Sequence, residues 1–88
     1  ARRGGNSASL DVLNKYFTLA EMPVVSSSYW NMVHGGRPEE VLQDKEGMQI
    51  MRNLGRNMAW LLKCIAAGKA AEVALPQNEY GERTNFIR

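Results

Sequence analysis

The segment around Pro23 constrains the fold most strongly, because it ends any helix and then changes from apolar to polar. A residue that precedes proline is biased towards extended backbone, so a helix is not expected to continue into Pro23. Val24 and Val25 favour a strand, and the serines that follow are small and polar, as expected where a strand leaves a core. We therefore predict one short buried strand over residues 22–29, followed by a glycine-rich loop over residues 32–38.

A first helix is predicted over residues 7–20, before this strand. Asn6 or Ser7 is expected to cap its free N–H groups. Pro38, after the glycine-rich loop, predicts a short helical turn. The apolar residues that recur at three- and four-residue steps in the first helix are Leu10, Leu13, Phe17 and Ala20.

A longer helix is predicted from the N-cap Asp44 to about residue 65. Gly68 is expected to end it, because glycine readily takes the left-handed conformation that closes many helices. Gly55 weakens this helix by about 1 kcal/mol relative to alanine, a cost that close approach of another element would offset. The apolar stripe of the helix, which we expect to be buried, consists of Met48, Met51, Leu54, Met58, Leu61, Leu62 and Ile65.

The composition allows one small domain and excludes several functional classes. The chain has 88 residues, with 11 basic and 9 acidic side chains, a net charge of +2 that is too weak to indicate nucleic acid or an anionic membrane as a partner. No apolar run approaches the roughly 18 residues that a membrane span needs. The single cysteine, Cys64, excludes an internal disulfide framework, so a reducing, cytoplasmic setting is expected.

One strand between two helices cannot form a sheet on its own, and the sequence begins at Ala1 without an initiating methionine. We therefore expect residues 1–69 to be the C-terminal portion of a larger α/β domain. The alternative is that the strand pairs with another copy of the chain. Residues 77–88 are polar except for Tyr80, Phe86 and Ile87. Residues 70–88 are expected to form a tail that is partly extended or docks on a neighbour through its aromatic residues.

The loop Arg2-Arg3-Gly4-Gly5-Asn6 is the first candidate binding site. Two guanidinium groups, glycines that let backbone approach closely and a helix N-terminus suit an anionic or planar ligand. A solvated basic turn before a helix explains the same residues, and the residues alone favour it. A nucleic-acid contact of the RGG type is a weaker third interpretation, because the pattern occurs once.

The second candidate site consists of Tyr29, Trp30 and Asn31. Their two aromatic rings and one amide would contact the edge of a bound ligand. The alternative, which the residues alone favour, is that the rings pack under the loop. His34 has no partners that would make a metal site, so we expect it to be exposed. Cys64 is expected to be buried as a small hydrophobic residue.

Three stretches of the sequence form a distinctive combined pattern: VVSSSYWNM at residues 24–32, DKEG at residues 44–47 and MRNLGRNMAWLLK at residues 51–63. Together they resemble the C-terminal third of the NAD(P)H-dependent FMN reductases, whose nearest branch includes the iron–sulfur flavoproteins. Residues 2–6 resemble the loop after the fourth strand of that family. The resemblance covers residues 2–67.

The resemblance implies an α/β fold, the C-terminal part of a flavodoxin-like three-layer sandwich with a parallel sheet in the order 2-1-3-4-5. It implies FMN as cofactor, NAD(P)H as co-substrate, hydride transfer to the flavin and on to an unidentified acceptor, and a homo-oligomer. It places the loop residues Arg2, Arg3, Gly4, Gly5 and Asn6 along the isoalloxazine ring. It places Tyr29, Trp30 and Asn31 beside the flavin or at a subunit contact.

The departures from the family limit what this chain can do alone. Its phosphate-binding loop is absent, and so is any cysteine cluster for an iron–sulfur centre. We therefore expect the 88 residues alone to be inactive and to bind flavin weakly or not at all. The rival hypothesis is a non-catalytic oligomerisation or interaction module whose apolar helix faces pair with another subunit. Neither hypothesis involves nucleic acid or a membrane.

Overall fold

Three α-helices joined by irregular segments make up the computed structural model, which describes residues 1–86. Helix α1 spans Asn6–Leu19, the single turn α2 spans Pro38–Val41, and α3 spans Lys45–Ala70. The sequence predicted all three in this order. Within the described residues, no helix combines the length and apolar character needed to cross a bilayer.

The predicted α/β class, a flavodoxin-like sandwich with a parallel sheet, is wrong for this structure. Residues 22–29, predicted as its strand, form an irregular connection after α1, and residues 1–86 contain no strand. The physical reason is that a strand is stabilised by hydrogen bonds to a neighbouring strand, and the described chain supplies none. The preferences of Val24 and Val25 do not substitute for that pairing.

Helix α1 begins and ends within one residue of its predicted bounds, but the capping prediction is wrong. Its N-cap is Gly5, which has a φ of 87° and makes no side-chain capping bond. The helix closes before Pro23 because Glu21 turns into the left-handed region, with a φ of 57°. The Met22 N–H then donates to the Phe17 carbonyl at 2.9 Å.

Helix α3 confirms the predicted cap and extends beyond the predicted end. The Asp44 carboxylate accepts from the Gly47 N–H at 2.9 Å, as an N-cap should. At the other end the helix passes through Gly68 to Ala70, and Glu72 takes the left-handed conformation with a φ of 59°. The alanines around Gly68 are strong helix formers, which accounts for the extension.

The chain is flat and has almost no core. It measures 51 × 46 × 18 Å, with a radius of gyration of 18.4 Å where a compact chain of this length has about 12 Å. Ile50, 3% exposed, is the sole buried hydrophobic side chain in residues 1–86. The accessible surface is 8257 Å², about 3,000 Å² more than a compact monomer of this mass exposes.

Much of the apolar stripe of α3 is therefore uncovered, and the prediction that it is buried is wrong for its C-terminal half. Ile65 is 59% exposed, and Met58 and Leu62 are exposed as well. Cys64, predicted to be buried, is exposed too. The spacing identified the apolar side of the helix correctly, but the described residues contain nothing that covers it.

After α3 the chain is irregular up to residue 86. The Tyr80 hydroxyl donates to a Glu21 carboxylate oxygen at 2.6 Å, and the Asn78 amide reaches the same oxygen at 3.3 Å. This part of the predicted tail therefore contacts the end of α1, while Phe86 is fully open to solvent. Ile87, the third apolar residue of residues 77–88, lies outside the described residues.

Candidate functional site

Helix α3 holds the serine segment that precedes Tyr29. The Asn57 amide donates to the Ser26 carbonyl at 2.8 Å, and the Asn53 amide donates to the Ser28 hydroxyl at 3.0 Å. Between them, the Ser27 hydroxyl donates to the Ile50 carbonyl at 2.6 Å. The two asparagines are four residues apart and so lie on one side of the helix. Two of the three stretches that carry the family resemblance are thus in direct contact.

These bonds position Tyr29, Trp30 and Asn31 along a cleft of about 470 Å³, here called the aromatic cleft. Residues 24–31 form one wall, and the opposite wall comes from α1, including Ser7 and Asn14. The two rings lie 4.9 Å apart at a tilt of 58°. Trp30 is 61% exposed, so the rings do not pack under the loop and are open to a ligand or to further protein.

Two amide oxygens in the predicted site have no hydrogen-bond partner among residues 1–86. They are Oδ1 of Asn31, in the aromatic cleft, and Oδ1 of Asn6, at the start of α1. A buried acceptor without a donor costs about 1–3 kcal/mol. A donor supplied by a ligand or by another protein segment would remove that cost.

Arg2 and Arg3 lie in a different place, at a cleft of about 580 Å³ that also includes Gly36, Arg37 and Glu40. We call this the arginine cleft. Among residues 1–86 none of the three guanidinium groups lies within ion-pair reach of a carboxylate. The Glu40 carboxylate instead accepts from the Gly36 N–H at 2.7 Å.

The structure therefore divides the predicted site. Tyr29, Trp30 and Asn31 share one cleft and the two N-terminal arginines share another, while residues 4–6 line neither. Sequence reasoning missed Arg37, which the loop of residues 33–37 brings beside Arg2 from a distant position in the chain. Its only sequence signal is a basic residue directly after two glycines.

His34 and Asp44 form a contact that the sequence did not indicate. The Asp44 carboxylate accepts from the backbone N–H of His34 at 2.8 Å, and the imidazole Nδ1 lies 3.5 Å from the same oxygen. Hydrogen bonds from the N–H groups of Gly47 and His34 hold the pKa of Asp44 below its usual value. The contact fixes the loop onto the start of α3.

A metal centre has no ready-made ligands in the described chain, since residues 1–86 contain no group of three His, Cys, Asp or Glu side chains suited to an ion. Comparisons with protein-family profiles, curated proteins and solved structures gave no match. The resemblance to FMN reductases accordingly stays a prediction from the motifs at residues 24–32, 44–47 and 51–63.

Proposed function

We propose that this chain is the flavin-facing segment of an FMN-binding, NAD(P)H-dependent oxidoreductase. The observation that supports the proposal most is the contact between two motifs, in which Asn53 and Asn57 hold the serine segment against α3. That contact gives the two asparagines of one motif and the serines of the other a physical role. It presents Tyr29 and Trp30 along an open cleft.

The aromatic cleft suits one edge of a flavin. Its volume, about 470 Å³, lies within the usual range of ligand sites, and its two exposed rings offer flat surfaces for a planar group. The unpaired oxygen of Asn31 requires a donor, and the N3–H of an isoalloxazine is one.

FMN, when bound, would supply the chemistry for hydride transfer between NAD(P)H and an unidentified acceptor. The role of this chain is to orient the ring and to exclude water from one side of it. The anchor for the FMN phosphate would come from protein outside these residues. We further propose a homo-oligomer in the cytoplasm, where the exposed thiol of Cys64 stays reduced.

The test uses the full-length product of the gene that encodes this chain. FMN is titrated into the apoprotein while flavin fluorescence is followed, and NAD(P)H oxidation is measured with and without FMN. Trp30→Ala should weaken FMN binding about tenfold, because aromatic stacking is worth about 1–3 kcal/mol. The matched control is Trp60→Ala, since Trp60 is 67% exposed and lines neither cleft.

A full-length protein that does not bind FMN would refute this proposal. Equal losses of affinity in Trp30→Ala and Trp60→Ala would also contradict the assignment of the aromatic cleft. Absence of FMN binding refutes the proposed function as a whole. Equal losses of affinity refute only the assignment of the FMN site to the aromatic cleft.

The second candidate is a non-catalytic interaction module, which the open apolar surface favours. Leu13, Phe17, Val24, Leu54 and Met58 contribute to one groove of about 270 Å³ between α1, residues 22–25 and α3. An apolar face of this kind on a chain with so little core is typical of a protein interface. A full-length protein that oligomerises in sedimentation experiments but carries no flavin would favour this module.

A further inference from the structure

The arginine cleft has a composition that the proposed flavin site does not explain. Arg2 and Arg3 reach it from the N-terminal segment, and Arg37 reaches it from the loop before α2. Like charges that line one cleft repel each other unless a counter-charge is present. Glu40 supplies one negative charge, which leaves an excess of two positive charges at the cleft.

We propose that the arginine cleft is a binding site for a phosphate dianion, either inorganic phosphate or the phosphate of a monoester. A phosphate monoester carries close to two negative charges at neutral pH and three acceptor oxygens. Guanidinium groups bind phosphate through paired N–H donors, and three of them can engage different oxygens. A carboxylate ligand, with one charge and two oxygens, would leave part of this positive charge unmatched.

The backbone holds the two halves of the cleft together before any ligand binds. The Gly35 N–H donates to the Ala1 carbonyl at 3.1 Å. This bond fixes the residue before Arg2 beside the loop that carries Arg37. A preorganised site of this kind loses less free energy on binding than one that must assemble.

Gly35 is required for that arrangement. A Cβ at this position would lie 2.9 Å from Cγ2 of Val41, 3.0 Å from its backbone nitrogen and 3.1 Å from the Arg37 carbonyl oxygen. A larger residue would therefore push the loop away from α2 and displace the Arg37 guanidinium. The tight turn at Gly35 thus positions Arg37 in the cleft.

The site does not depend on flavin binding, because it shares no lining residue with the aromatic cleft. The test is a titration of the full-length protein with inorganic phosphate and, separately, with adenosine monophosphate, by isothermal calorimetry at constant ionic strength. Arg37→Gln should weaken binding about tenfold, as expected for loss of a charge-assisted contact. Arg52→Gln, an exposed arginine of α3 outside the cleft, is the matched control and should bind as wild type does.

Equal affinity for the two probes identifies the phosphate group as the ligand, and tighter binding of the nucleotide identifies a nucleotide phosphate; either supports the site. Arg2→Gln provides a second cleft variant, with helix content checked by circular dichroism, so that a folding defect in Arg37→Gln does not decide the result. Absence of saturable phosphate binding overturns the proposal. So does an equal loss in Arg52→Gln, or a preference for a single-stranded oligoribonucleotide with a steep salt dependence, which would indicate general attraction to a polyanion.

Discussion

Replacing Gly47 with alanine should destabilise the start of α3, although alanine is normally the better helix residue. At a helix position with open space around it, replacing glycine with alanine stabilises the helix by about 1 kcal/mol. At Gly47, a buried position, an added Cβ would lie 2.9 Å from the Val33 Cα and closer still to the Asp44 carboxylate. Real Cβ atoms do not approach other atoms so closely. The loop around Val33 must therefore move away from the helix, and the Asp44 cap must move with it.

The expected change in the free energy of unfolding is the difference between two opposing effects. Overpacking of a closed site costs typically about 1–3 kcal/mol, and the helix propensity of alanine returns about 1 kcal/mol. Because the nearest atom in the loop is backbone, we take the upper part of that range. The expected net loss is about 1–2 kcal/mol for Gly47→Ala.

Gly55→Ala is the matched control, because it places the same substitution in the same helix with open space around it. Nothing lies within 4 Å of a Cβ built on Gly55. This variant should gain about 1 kcal/mol, so the two variants should differ by about 2–3 kcal/mol in opposite directions from wild type. The assay is loss of helical circular dichroism in urea. If Gly47→Ala proved as stable as Gly55→Ala, the packing of Val33 against α3 would be refuted.

Two further predictions concern contacts at the ends of the helices. The pKa of Asp44 is held below its ordinary value of 3.8, so its contribution to stability is present above pH 3.8 and lost as the pH falls through the lowered folded-state value. Helix content should show this acid loss in wild type, and Asp44→Asn should lack it because asparagine still caps the helix but does not titrate. Tyr80→Phe removes the bond to Glu21, so limited proteolysis should cut the segment after α3 faster, whereas Tyr16→Phe should not change that rate.

The elements that depend on neighbouring residues could be predicted from the sequence. Helix α1 and the Asp44 cap of α3 follow from local periodicity and capping chemistry, and both agree with the structure. The strand over residues 22–29 could not be decided locally, because it requires a partner strand from elsewhere. The prediction that Gly68 ends α3 is wrong because the neighbouring alanines favour continuation of the helix. Glu72 adopts the left-handed conformation instead.

The candidate sites likewise combine residues that could be predicted from local sequence with contacts between distant positions that could not. Tyr29, Trp30 and Asn31 could be named from the sequence, and the structure places all three in one cleft, while their role in binding stays a prediction. The sequence did not indicate that Asn53 holds the serine segment or that Arg37 joins Arg2. Both arrangements bring together positions more than 20 residues apart, and periodicity carries no information at that distance.

The open stripe on the second half of α3 has a consequence for the life of the molecule during synthesis. A newly made copy carries Met58, Leu62 and Ile65 in contact with water from the moment it leaves the ribosome. Such surfaces are what chaperones bind and what drives premature aggregation. In the proposed homo-oligomer, the yield of folded protein would therefore depend on how quickly a second subunit covers that stripe.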